Sequence, residues 1–226
     1  MAKIIGVSGK IGSGKDYLTG KLISEMHTRN FTTTHTSFAT PLKKELDEII
    51  AIVRENAPTF LTANQLNARV ATKMNMSIED AALITDALFH EVTTDLSLNA
   101  YSRTYGIRDA LQKLGTEVRR KQNPDYWTQK FISFVETLTV DFVFVSDARF
   151  PNEMDTVVDN AGFAIRINLT PEVLEKRRAN RDGVIYTAEQ LNHVSETSLD
   201  NYTRFALLVG ETFDVEEIAN QALTAT

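Results

Sequence analysis

The chain has 226 residues, with 24 Lys and Arg against 30 Asp and Glu, a net charge of −6 and no cysteine. Hydrophobic residues at 42% and charged residues at 24% are the proportions of a folded globular protein, which excludes intrinsic disorder as the main state. Without cysteine there is no disulfide scaffold, thiol nucleophile or thiolate-bound zinc, and the acidic balance argues against a nucleic-acid polymer as partner while leaving small anions open.

The first apolar run, Ile4, Ile5 and Val7, is too short for a leader and reads as a buried strand. The glycine-rich stretch 8–16 follows, and then Leu18, Leu22, Ile23 and Met26 recur at helical spacing. Thr40-Pro41 marks a helix start, with Leu42, Leu46, Ile49, Ile50 and Val53 on one face. Residues 56–105 carry no chemical signature. Ser77-Ile78-Glu79-Asp80 ahead of Ile84 and Leu88 predicts a capped helix there, so the stretch reads as a helical insertion. Two more amphipathic helices are expected, one on Ile107, Leu111, Leu114 and Val118 and one on Trp127, Phe131, Phe134 and Leu138. Residues 140–145 predict a buried strand, too short and too acidic at Asp141 to span a bilayer. Then come a helix at 153–160, a strand at 163–169, a basic helix at 171–181, a strand at 205–209 and a helix at 214–223. Such alternation predicts an α/β chain whose mostly parallel sheet has helices on both faces. A cytoplasmic protein with no membrane partner is expected.

Gly9-x-x-x-x-Gly14-Lys15 has the spacing of a phosphate-binding loop. Glycines let successive N–H groups converge on one anion, and the following helix adds its positive end. Lys15 would reach the β- and γ-phosphates of a bound nucleotide. The next residue is usually Ser or Thr, whose hydroxyl holds Mg²⁺. Here it is Asp16, an oxygen ligand that suits the same ion. A chance glycine-rich turn is the alternative, but the pattern would arise in about one chain of this size in a hundred.

Asp147-Ala148-Arg149 follows the strand at 140–145. In open α/β sheets ligands sit beyond the carboxyl ends of strands, so Asp147 would orient Mg²⁺ or its waters and Arg149 would grip a phosphate. The alternative is a surface pair capping the next helix. Lys176, Arg177, Arg178 and Arg181 crowd the basic helix, either as a lid at about 170–195 over polyphosphate or as a solvated face balanced by Glu172 and Glu175. Tyr126 and Trp127 open a helix, where an isolated aromatic more often fills the core than stacks on a base. His27, His35, His90 and His193 show no metal-ligand spacing.

Several blocks resemble the phage-type deoxynucleoside monophosphate kinases, within the P-loop nucleoside monophosphate kinases. They are Ser13-Gly14-Lys15-Asp16, Pro41-Leu42-Lys43, the run Arg108 to Thr116 with Gln112-Lys113-Leu114-Gly115-Thr116, Tyr126-Trp127, Ser146-Asp147-Ala148-Arg149 with Asn152-Glu153-Met154, and His193-x-Ser195-Glu196. They span nearly the whole chain in order. Residues 56–105 match nothing in the pattern, and 177–181 is richer in arginine than the pattern. The resemblance implies one P-loop kinase domain over 1–226, of three-layer fold with a helical insertion. It also implies phosphoryl transfer from ATP with Mg²⁺ to deoxynucleoside 5′-monophosphates, in the cytoplasm of an infected host cell, with a homodimer as the expected assembly. Lys10, Gly12, Ser13, Gly14, Lys15, Asp16 and Tyr17 would line the ATP site. Lys43, Arg108, Gly115, Thr116, Trp127, Asp147, Arg149 and Glu153 would line the acceptor site. Lys15, Asp147 and Arg149 would be catalytic, and Asp16 the metal ligand. Two rivals remain at this level: a kinase of another phosphorylated acceptor, such as dephospho-coenzyme A or phosphomevalonate, and a nucleotide-binding module without transferase activity. No Asn-Lys-x-Asp segment supports a GTPase switch.

Overall fold

The structure is a computed structural model that describes residues 1–56, 62–180 and 187–225. It divides into two units, one of Met1–Phe38 with Phe131–Thr226 and one of Ala39–Lys130.

The first unit carries a five-stranded sheet, β1 (Lys3–Gly9), β2 (Thr33–Thr36), β3 (Phe142–Val145), β4 (Phe163–Ile167) and β5 (Leu207–Val209), ordered β2-β3-β1-β4-β5. Every pairing is parallel, with Gly6 opposite Val145 and Gly9 opposite Ile167. Parallel strands require crossovers, and the helices α1 (Lys15–Thr28), α7 (Pro151–Asp159), α8 (Pro171–Ala179) and α11 (Val215–Thr224) supply them or follow the last strand. Two short helices, α9 (Ala188–Asn192) and α10 (Val194–Thr197), precede β5.

Strand alternation sorts the core into two layers. Ile5, Val7, Phe144 and Ile165 pack with Leu18, Leu22 and Met26 of α1 and Ile218 and Ala222 of α11. Ile4, Val143, Val145 and Ala164 pack with Met154 and Val157 of α7 and with Phe131 and Val135. The sheet is thus covered on both faces, as the near-continuous apolar strands require.

β2 was not anticipated from hydrophobicity, because Thr33-Thr34-His35-Thr36 is polar. It lies at the sheet edge and is only partly buried, where polar side chains cost little. β3 starts at Phe142 rather than 140. The Asp141 carboxylate accepts the Thr32 amide and hydroxyl, each at 2.7 Å, and these bonds hold its carboxyl below the usual range. α8 ends at Ala179, and Arg181 lies outside the described residues.

Gly162 closes the turn between α7 and β4. Its N–H donates to the Val157 carbonyl at 2.9 Å, and a β-carbon there would fall 2.5 Å from the Ile4 carbonyl oxygen and 2.6 Å from that of Val157. Both obstacles are backbone, so Gly162→Ala is expected to destabilise the chain by about 1–3 kcal/mol, read as a lowered urea midpoint at unchanged m.

Every described element of the second unit is a helix. It holds α2 (Ala39–Asn56), α3 (Ala63–Met74), α4 (Ile78–Thr94), α5 (Tyr105–Gln112), a π-helical stretch (Lys113–Arg120) and the start of α6 (Tyr126–Glu136). α2 begins at Ala39, so Thr40 lies inside the first turn rather than at the cap. Ser77 caps α4 by accepting the Asp80 amide at 3.0 Å, and Thr62 and Gln65 form a reciprocal box at the start of α3. Leu46, Ile50, Val70, Ile84, Leu88, Ile107, Leu114 and Val118 make its core. The helix expected through Val118 instead widens at Lys113, where the backbone passes from α- to π-helical bonding.

One buried polar cluster braces this unit. Arg119 meets Glu45 at 2.5 Å, and its remaining donors reach the carbonyls of Met74 at 2.5 Å and Asn75 at 3.1 Å, at the end of α3. The Tyr126 hydroxyl donates to the other Glu45 oxygen at 2.9 Å. Burial first, and the Glu45 charge second, push the Tyr126 phenol up to about 12.

Candidate phosphate-binding site

The loop between β1 and α1 is shaped by two left-handed glycines, Gly12 at φ 84° and Gly14 at φ 89°. Residues with a β-carbon adopt that region at a cost, so the loop needs glycine there. The Ser13 amide closes on the Lys10 carbonyl at 3.0 Å. α1 then starts without a side-chain cap. Among the described residues nothing accepts from the amides of Gly12, Gly14, Lys15, Asp16 and Tyr17. Unused donors at the positive end of a 14-residue helix are what an anion of phosphate size takes up. The Ser13 hydroxyl, on a residue 2% exposed, also has no partner among the described residues.

Lys15 lies mostly buried, its ammonium 3.9 Å from an Asp16 oxygen. The Asp16 side chain is 70% exposed, and its other oxygen accepts from the Ser146 hydroxyl at 3.0 Å. Ser146 in turn lies 3.1 Å from the His35 ring on β2. Neither His35 nor Ser146 carries a spacing signal in the sequence that marks it for the site. Their place follows from β2 and β3 lying side by side. No group of three or more His, Asp or Glu that could hold a metal occurs among the described residues. One exposed, oriented carboxylate beside the glycine loop would suit Mg²⁺, an ion that usually keeps several waters.

Parallel pairing of β3 with β1 brings 146–149 to the same sheet end as the loop. An Asp147 oxygen accepts the Phe38 amide at 2.8 Å. Arg149 is half-buried, and its guanidinium pairs with Glu196 through one terminal nitrogen. Glu196 also accepts the Ile11 amide of the loop at 2.7 Å. Glu153, expected to line an acceptor site, is 4% exposed and turned back on the chain. Its Oε2 accepts the amides of Arg149 at 2.7 Å and Phe150 at 3.2 Å, which makes it the cap of α7 and the support of Arg149.

Lys10 pairs with Asp200 at 2.7 Å, and Asp200 also holds Arg166 at 3.0 Å. Arg166 donates to the Ser8 hydroxyl at 2.9 Å beneath the loop. Burial lowers the Arg166 pKa, with Asp200 and Glu196 opposing that shift. No sequence pattern marks Arg166, because it sits mid-strand among apolar residues.

α8 lies against the loop rather than facing solvent along its whole length. Arg177 donates to the Ser13 carbonyl at 2.9 Å, and the Arg178 stem covers Gly12, where a β-carbon would fall 2.8 Å from it. Beside the loop a cavity of about 490 Å³ is lined by Ser13, Gly14, Tyr17, Lys21, Arg177 and Phe213. The Tyr17 and Phe213 rings stand 6.4 Å apart.

The remaining expected acceptor residues belong to the helical unit. Lys43 stands over the Tyr101 ring at 4.6 Å. Arg108, on α5, and Thr116, in the π-helical stretch, are exposed. Gly115 is buried, and its carbonyl accepts the Trp127 indole N–H at 3.0 Å. Trp127 is 3% exposed within the helical core, so neither its face nor its one donor is free for a base or sugar in this arrangement. Its contact in the helical unit is the Gly115 carbonyl, which it fixes.

No protein-family model and no curated protein matches this chain. Among solved structures it is similar to the crystal structure of TT1252 from Thermus thermophilus, at 14% identity and a TM-score of 0.41 over 99% of this chain and 95% of that one. No helix among the described residues is long and apolar enough to cross a membrane.

Proposed function

We propose that this chain is a P-loop kinase that transfers the γ-phosphoryl group of ATP to deoxynucleoside 5′-monophosphates. The observation that carries the reading is the loop of residues 9–16, where two left-handed glycines and an uncapped start of α1 leave amides with no acceptor among the described residues and Lys15 beside them. The sequence resemblance adds the acceptor class.

In this reading the β- and γ-phosphates take the loop amides and Lys15. The cavity beside Tyr17 and Phe213 gives the donor's base an aromatic wall. Magnesium, when bound with the nucleotide, supplies charge neutralisation at the phosphate oxygens, and Asp16 would hold it from the carboxylate that Ser146 orients. Arg149 keeps donors beyond the one given to Glu196, and these suit the acceptor's phosphate. A monophosphate has its second pKa near about 6, so its oxygen is already a dianionic nucleophile at neutral pH. No protein base is then required. The work of the site is to hold two anions in line and offset their repulsion.

The test is ADP release from ATP and Mg²⁺ across all deoxynucleoside and ribonucleoside monophosphates, dephospho-coenzyme A and phosphomevalonate. ADP formation that depends on a deoxynucleoside monophosphate is expected. Turnover with one of the other phosphorylated acceptors and none with these would replace the substrate class. ATP hydrolysis indifferent to any acceptor would remove the transferase.

A further inference from the structure

Glu196 is buried, 7% exposed, on the four-residue α10, yet it touches two segments far away in sequence. One oxygen accepts the Ile11 amide at 2.7 Å and the other accepts from the Arg149 guanidinium. We propose that Glu196 is the positioning residue that ties Arg149 to the phosphate loop, so that one carboxylate sets the spacing between the two anion-gripping elements. Its catalytic consequence rests on the kinase reading, while the tie itself does not.

The surroundings argue for a device rather than an incidental pair. A buried carboxylate is costly unless its oxygens are taken by good donors, and here each has one. A packing role would be satisfied by Arg149 alone and gives no reason for the loop amide. Arg149 is also held at its backbone. Its N–H is taken by Glu153 at 2.7 Å. Four residues beyond Glu196, Asp200 holds Lys10 of the loop at 2.7 Å. Residues 196–200 thus reach the loop at two points and Arg149 at one. An exposed arginine would lose rotamer freedom on binding a phosphate, and one held in place loses less.

Glu196→Gln keeps the shape and removes the charge. In Glu196→Leu, which removes both acceptor oxygens, the tie predicts that exchange of the Ile11 amide, followed by NMR, accelerates on the order of tenfold or more while the melting curve stays cooperative. For turnover in Glu196→Gln, KM for the monophosphate should rise on the order of tenfold to a hundredfold, with a smaller change in KM for ATP. In an Arg149→Met background, Glu196→Gln should add less than about threefold, because the partner it positions is gone. A brace that merely stabilises the fold would lower the melting temperature and leave this non-additivity absent. Unchanged Ile11 exchange, or effects of the two substitutions that multiply in full, would overturn the proposal. If the wild-type chain transfers phosphate to no monophosphate, the kinase reading fails and Ile11 exchange still decides the tie. If Glu196→Gln does not fold, Glu196→Asp, which keeps the charge and shortens the reach, carries the test. A severalfold rise in monophosphate KM supports the grip on Arg149, and an unaltered KM removes it.

Discussion

Lys15→Met is expected to leave a folded chain that binds the acceptor monophosphate and barely turns over. The side chain lies mostly buried beside the open amides, so its charge acts where water screens it little. On the proposed kinase reading it would meet most charge on the transferring phosphoryl group, so its loss would fall on the transition state more than on the acceptor complex. A fall in kcat of roughly 10²–10³, or about 2–4 kcal/mol, follows from the usual size of such electrostatic stabilisation. Steady-state kinetics with calorimetry of the monophosphate would check it. Wild-type turnover in this variant would refute the place given to the loop.

Arg119→Met should be the most damaging single change to stability, at about 3–5 kcal/mol. It strands Glu45, a carboxylate on a residue 7% exposed, with the Tyr126 hydroxyl as its remaining strong donor. It also leaves the carbonyls of Met74 and Asn75 without the guanidinium that closes the end of α3. The cost arises from the partner left behind rather than from the attraction lost. Adding Glu45→Met to the same chain should therefore recover much of it. Urea denaturation of the single and double variants measures both. A double variant no more stable than Arg119→Met alone would show that packing, not the stranded charge, dominates.

Much of the architecture was readable from periodicity. β1, α1, β3, β4 and α11 follow apolar runs or helical spacing, because each is an element that buries a face. β2 has no hydrophobic signal because an edge strand needs no apolar face. α10 leaves no periodic signal because it is one turn long. The turn made by the left-handed Gly12 and Gly14 was legible because loop geometry is local and the Gly9-x-x-x-x-Gly14-Lys15 spacing marks it. Trp127 and Glu153 show the opposite. A motif names residues but does not say which way they turn, and both are turned inward, one onto the Gly115 carbonyl and one onto the amides at the head of α7.

By itself, the amino-acid sequence determined the alternation of strand and helix, the glycine loop with its lysine, and the exclusion of thiol and disulfide chemistry. These depend on neighbours a few residues apart, and hydrophobic period and backbone sterics act over that range. The tertiary structure alone decided that Glu196 meets both Ile11 and Arg149, that Arg177 and Arg178 lie on the loop, and that Arg119 is buried against Glu45. Those contacts join residues tens to nearly two hundred positions apart. Parallel strand order and helix packing bring them together, and no local pattern encodes which distant charge will be the partner.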